Sequence, residues 1–184
     1  MSIMFPAQII ELSTPRLRLR ALKASDAAAL FSYFSQDAVT EFYDLETFSS
    51  VQEAERLIQT WQERFKAQSS VRWAIVLQES DTPIGTCGMH SFSLENSRAE
   101  IGYELHPDYW RQGLMTEAIR ALLQYGFETV GLHRLEAFID PLNEASAKLL
   151  SKVGMQAEGV LRDYFFEKNR FVDAQMWSVL NPGH

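Results

Sequence analysis

The segment Tyr109-Trp110-Arg111-Gln112-Gly113-Leu114-Met115-Thr116-Glu117-Ala118 constrains this chain more than any other feature. A strand-like run, Ile101 to Leu105, precedes it, and an apolar-periodic run with Ile119, Leu122, Leu123 and Phe127 follows it. The pattern predicts a strand, a short turn with one permissive glycine, and a helix start. Such a junction can cradle a pyrophosphate. The first-turn N–H groups of a helix have no internal partners, and its dipole favours negative charge there. Arg111 adds a cation beside the turn, so Arg111, Gln112, Gly113, Leu114, Met115 and Thr116 are candidate cofactor-binding positions.

The rest of the chain has to supply a domain around that junction. At 184 residues it is the length of one domain with one sizeable core. A hydrophobic fraction of 46% and a charged fraction of 22% are those of a globular protein. There is no apolar run of membrane-span length and no leader pattern, and Cys87 has no second cysteine to pair with. A cytoplasmic protein with no membrane partner is the expectation. The net charge of −7 argues against nucleic acid as the main partner.

Along the chain, residues 1–8 carry no periodic signal and read as a loose lead-in. Arg16 to Arg20 alternates with period two, as a half-buried strand does. Ser25 and Asp26 read as the cap of a helix through Phe34, and Ser49-Ser50 precede a second helix with Val51, Ala54, Leu57, Ile58 and Trp61 on one side. Strands are predicted over Arg72–Gln78, Ile84–Phe92 and Ala99–Leu105, followed by the cradle and a helix ending near Gly131. A short strand, Leu135 to Ile139, leads to a helix capped by Asn143 and ending at Gly154. Gln156–Glu167 and Phe171–Val179 then form a hairpin about Lys168-Asn169-Arg170. With no repeat or linker, residues 1–184 read as a single α/β domain with a core at about 12–180.

This order of elements resembles the GNAT N-acetyltransferase family, over nearly the whole chain. Its Rim-type branch, the ribosomal-protein N-terminal acetyltransferases, is similar at several points. These are Leu12-Ser13-Thr14-Pro15-Arg16-Leu17-Arg18-Leu19-Arg20, Ile101-Gly102-Tyr103, the cradle, Asn143-Glu144-Ala145-Ser146 and Glu158-Gly159-Val160-Leu161-Arg162. Trp110 and Met115 depart from the family's general cradle pattern but suit that branch. The resemblance implies a mixed, mostly antiparallel sheet of about seven strands, splayed at its centre and flanked by about four helices. It implies acetyl-CoA as cosubstrate and an amine acceptor, in a monomer or homodimer with no metal. His90, His106 and His133 show no metal spacing.

Acetyl transfer to an amine requires a base, a polarised thioester carbonyl and help for the leaving thiolate. By resemblance, the central strand is Ala99 to Leu105, and Leu105 offers a backbone N–H to the carbonyl. On an unbroken strand Glu100, Gly102 and Glu104 share one face, so either glutamate can serve as base, with Glu100 the better fit to the family's position. A bulge would separate the two. Helical spacing puts Ser146 on the inward stripe with Leu149, Leu150 and Val153, where its hydroxyl can assist a leaving thiolate. Asn143 is expected to cap that helix and to contact the pantetheine amide. Tyr103 and Tyr164 read first as packing aromatics. Glu46, Phe48, Tyr164 and Phe165 suggest a partly aromatic, acidic acceptor pocket. The acceptor is expected to be a protein or peptide N-terminal amine. The alternatives are a small amine such as a polyamine or aminoglycoside, or a non-catalytic acyl-CoA sensor.

Overall fold

The computed structural model describes residues 3–183. Strands β1 (Leu12–Ser13) and β2 (Leu17–Ala21) lead into helices α1 (Ala27–Phe34), α2 (Asp37–Thr40) and α3 (Val51–Lys66). The three predicted central strands follow as β3 (Ser70–Leu77), β4 (Pro83–Ser93) and β5 (Arg98–Leu105). Helix α4 (Leu114–Gln124) runs on through a π-helical segment, Tyr125–Val130, and stops at Gly131, whose φ of 82° is left-handed. Strand β6 (Arg134–Ile139), helix α5 (Glu144–Lys152) and the hairpin β7 (Gln156–Glu167) and β8 (Arg170–Leu180) complete the chain.

The strands form one eight-stranded sheet in the order β1-β2-β3-β4-β5-β6-β8-β7, and β5–β6 is its parallel pair. The eighth strand is the Leu12–Ser13 piece, split from β2 by the Thr14-Pro15-Arg16 turn. The extra helix is the single turn α2, too short for a periodic signal. A further difference lies at the start of the chain. Ile3 and Phe5 pack on the core, with the Phe5 ring 5.5 Å from Phe65 and 5.1 Å from Phe92. The lead-in is therefore anchored from Ile3 onward; Met1 and Ser2 lie outside the described residues.

Both faces of the sheet are covered. Period-two alternation sends Leu17, Leu19, Trp73, Ile75, Cys87, Met89 and Ile101 to the α4 side. Ala74 goes to the other side, under α1 and α3, where Leu30, Phe34, Phe48, Ile58 and Trp61 form a second cluster. Coverage on that side also buries Arg20, which the alternation alone would leave half-exposed. Its guanidinium is held by both carboxylate oxygens of Asp26, at 2.8 and 2.9 Å. Helix α3 starts where predicted because the Glu53 carboxylate accepts the backbone N–H groups of Ser49 and Ser50, each at 2.8 Å.

Candidate active site

The site begins as a gap in the sheet. Strand β5 follows β4 in unbroken register from Glu100 to Leu105, but it pairs with β6 only at Arg98, Ala99 and Glu100. Beyond Glu100 the two strands part. The His106 N–H donates to the Ile84 carbonyl at 2.7 Å, which fixes the alternation: even-numbered β5 residues bond β4. The main-chain groups of Tyr103 and Leu105 therefore turn toward the gap. Trp110 of the cradle motif closes its end, donating its indole N–H to the Leu105 carbonyl at 2.7 Å.

The cradle lies at the mouth of this gap. Gly113 is the N-cap of α4 with φ 76°, a left-handed conformation that suits glycine. Among the described residues the amide N–H groups of residues 111–116 have no partner within the protein. Leu114, Met115 and Thr116 are buried, so their side chains belong to the core and only their amides are available to a ligand. Arg111 and Gln112 are exposed. The sequence reading missed a second cation. Arg16 donates to the Gln112 carbonyl at 3.0 Å and to Glu117 at 2.7 Å, and a Cβ at Gly113 would lie 3.6 Å from its Nη2. Glu117 also accepts from the Thr14 hydroxyl at 2.6 Å. The Thr-Pro-Arg turn and the Thr-Glu-Ala stretch are thus halves of one clasp. This run of unpartnered amides flanked by arginines fits a pyrophosphate.

Helix α5 borders the same gap. The Asn143 Oδ1 accepts the Ser146 N–H at 3.0 Å, as predicted for a cap, and leaves the amide nitrogen free to donate elsewhere. Ser146 is half-buried and neighbours the Tyr103 hydroxyl. That hydroxyl is buried without a hydrogen-bond partner among the described residues. Burial pushes its pKa up to about 12 against a favourable contribution from Ser146, so it keeps its proton. Sequence reasoning took Tyr103 for packing, and the strand pattern holds no signal that its tip lacks a partner.

On the opposite face, the unbroken register keeps Glu100, Gly102 and Glu104 together; the bulge lies instead in β4, between His90 and Ser93. The two glutamates nevertheless differ. Glu100 is half-buried at the last paired position before the fork, opposite Glu136. Burial, with the nearby Glu136 charge, raises its pKa above the ordinary value, opposed by Ser91 and Arg98. The His90 ring stands 3.7 Å away. It is neutral at physiological pH, because burial and the charges of Arg72 and Arg64 push it down to about 4. Glu104 is enclosed. Arg72 and the Thr86 hydroxyl bond it directly, and the hydroxyls of Tyr33 and Tyr43 lie at 3.4 and 3.3 Å. The Arg72 guanidinium sits 4.8 Å above the Trp61 ring. Glu104 is thus committed to a buried ion pair, which single-sequence periodicity cannot reveal.

The predicted acceptor-pocket residues separate. Phe48 is a core residue, its ring 5.0 Å from Phe34, and Glu46 is exposed on a loop. Phe165 does line a cleft between the α2 region and the hairpin, with Glu41, Tyr43, Phe138, Asp140 and Glu167. Tyr164 stacks on Phe138 at 5.5 Å beside it. The Lys168 ammonium ties the hairpin tip to the Thr40 carbonyl at 2.6 Å. Among the described residues, no group of three or more His, Cys, Asp or Glu side chains could hold a metal, and no helix is long and apolar enough to cross a membrane.

Comparison with known proteins gives this geometry a context. Residues 16–156 match the model of the acetyltransferase (GNAT) domain. The chain is 40% identical over 179 residues to the uncharacterized N-acetyltransferase YoaA of Bacillus subtilis (strain 168), covering 97% of this chain and 99% of that one. It is 24% identical over 182 residues to the [Ribosomal protein uS5]-alanine N-acetyltransferase of Escherichia coli (strain K12), covering 94% and 92%. Its fold matches that of RimL, a ribosomal L7/L12 alpha-N-protein acetyltransferase solved in complex with coenzyme A. The TM-score is 0.83 at 20% identity, covering 96% of this chain and all of that one.

Proposed function

The chain belongs to the GNAT acetyltransferase family, and within it we propose that this enzyme acetylates the N-terminal amine of a protein or peptide, by direct attack in a ternary complex with acetyl-CoA. One observation carries the reading. Glu100, half-buried and with a raised pKa, stands where β5 and β6 part, which supports reading it as the proton acceptor. Its ionised form takes the proton of the incoming ammonium, directly or through one water. Arg111, Arg16 and the amides of residues 111–116 hold the pyrophosphate. The Leu105 N–H receives the thioester carbonyl. Asn143 contacts the pantetheine arm, and Ser146, next to the protonated Tyr103, hydrogen-bonds the departing sulfur.

The choice of acceptor rests on the relatives named for ribosomal-protein N-termini and on the cleft beside the fork. That cleft combines Tyr43, Phe138 and Phe165 with Glu41, Asp140, Glu167 and Asp173, acidic groups that outnumber Lys168 and Arg170 in the same lining and so favour a cationic amine. The test is a thiol-release screen of acetyl-CoA against N-terminal peptides, polyamines and aminoglycosides, with acetylation verified by intact mass. Turnover of peptides over the other amines is expected. Turnover of polyamines or aminoglycosides alone would refute the peptide reading, and coenzyme A binding without turnover of any amine would refute catalysis.

A further inference from the structure

Arg72 has a donor to spare. Its Nε–H bonds the Thr86 hydroxyl at 2.6 Å, and Nη2 serves Glu104 and the Tyr43 hydroxyl. No described residue accepts from Nη1. That nitrogen is not among the sealed, unpartnered atoms of the protein, so it reaches solvent. The side chain as a whole is only 6% exposed, and Trp61 backs it, so the guanidinium cannot swing to find another partner.

Nη1 points at one place. A Cβ on Gly102 would sit 3.1 Å from Nη1 and 3.5 Å from the His90 Nε2. Glycine keeps the backbone bare there, between Nη1 on one side and the His90 ring on the other, a narrow hollow that even a single Cβ would crowd. Glu100, the proposed base, is two residues along the same face, about 7 Å away at the rise of a strand. A donor and a carboxylate on one face, two strand positions apart, can serve the two ends of an α-amino carbonyl group. The amine approaches Glu100, and the oxygen of the first peptide bond, or a carboxylate, accepts from Nη1. His90 is neutral and adds no competing charge.

We infer that Arg72 is a specificity-determining residue, whose Nη1 hydrogen-bonds a carbonyl or carboxylate oxygen next to the acceptor amine. This deepens the reading of the acceptor as a peptide N-terminus and rests on it. A polyamine offers only donors and cations to this arginine and gains nothing from it. The Arg72–Glu104 pair thereby has a use beyond packing: Glu104 holds the guanidinium in place so that its third nitrogen faces the hollow.

The test compares two ligands on the protein loaded with coenzyme A, by calorimetry. One is a short peptide with a free N-terminus. The other is the same peptide with its first peptide bond replaced by an (E)-alkene, which keeps shape and removes the oxygen. The parent peptide is expected to bind about 10- to 100-fold more tightly, the usual scale for a charge-assisted hydrogen bond. Arg72→Lys should bring that ratio close to one. Gly102→Ala, whose Cβ would stand 3.1 Å from Nη1 and crowd it while both charges of the buried pair remain, should do the same and leave coenzyme A affinity unchanged, a check should Arg72→Lys fold poorly. Equal affinities in the unaltered protein, or the same ratio in a folded variant, would overturn the inference. If both peptides are acetylated with equal affinity, the inference falls and the acceptor reading stands. A preserved affinity ratio without turnover would leave the inference standing and remove the catalytic reading. If neither peptide binds, both fall.

Discussion

Replacing Glu104 by glutamine removes one charge from a pair that water cannot reach. Both members are buried, at 4% and 6% side-chain exposure. Arg72 cannot shed its charge in compensation, because a guanidinium keeps its proton at working pH even after its carboxylate partner is gone. The variant thus keeps a buried, uncompensated guanidinium, a situation that costs about 3–5 kcal/mol. For a chain of this length each kcal/mol moves the melting temperature by roughly 2–4 °C, so a fall of about 6–20 °C is expected. Thermal melting followed by circular dichroism measures it, and replacing both Arg72 and Glu104 with methionine should recover part of the loss. Below its melting point and at saturating acceptor, the Glu104→Gln variant should keep kcat within about tenfold of the parent, because the enclosed carboxylate does not take the amine's proton, while its KM for the acceptor rises as Arg72 loses its anchor. A melting temperature within about 2 °C of the parent, with a rate down by 10² or more, would move the role of base from Glu100 to Glu104 and refute the reasoning.

Further outcomes concern the cradle, Ser146 and Glu158. Gly113→Val forces a branched residue into a φ of 76° at the cradle and should weaken acetyl-CoA binding with the fold retained, while Arg111→Ala should weaken it by an amount that shrinks at high salt; calorimetry at two ionic strengths tests both. Ser146→Ala should lower kcat with acetyl-CoA affinity near normal and a stability loss of about 1 kcal/mol or less, whereas a normal rate with a lowered melting point would make Ser146 purely structural. Glu158 is held down to about 2 by Arg134 and Ser178, so its stabilising contribution is present above about 4.5, the ordinary glutamate value, and is lost as the pH falls toward 2; Glu158→Gln should flatten that acid limb of the stability curve.

The elements were legible because period and punctuation agree. Asn143 caps α5, the Glu53 carboxylate caps α3, and the even spacing of β3 to β5 sets which face each side chain joins. The glycine-led start of α4 was legible for the same reason, since a left-handed N-cap needs a residue such as Gly113. Long-range pairing was not. Arg16 meets Glu117 across 101 positions, and Arg72 meets Glu104 across 32, and no local pattern announces either. Glu100 and Glu104 look equivalent on a strand, and only the neighbours above them separate a half-open carboxylate from an enclosed one. Phe48 was misjudged likewise, because an aromatic on a loop can line a cleft or fill a core, and here Phe34 draws it inward.

The most direct test of the account is the pH dependence of kcat/KM for a peptide acceptor, measured beside Glu100→Gln. In the parent, activity should rise with pH through the Glu100 pKa, which burial and Glu136 hold above 4.5, because only the carboxylate accepts a proton. Glu100→Gln should lose about 10²–10³ in kcat near neutral pH, lack that rise, recover in part at high pH where free amine is plentiful, and melt close to the parent. A variant with the parent's rate and the parent's acid limb would contradict the account.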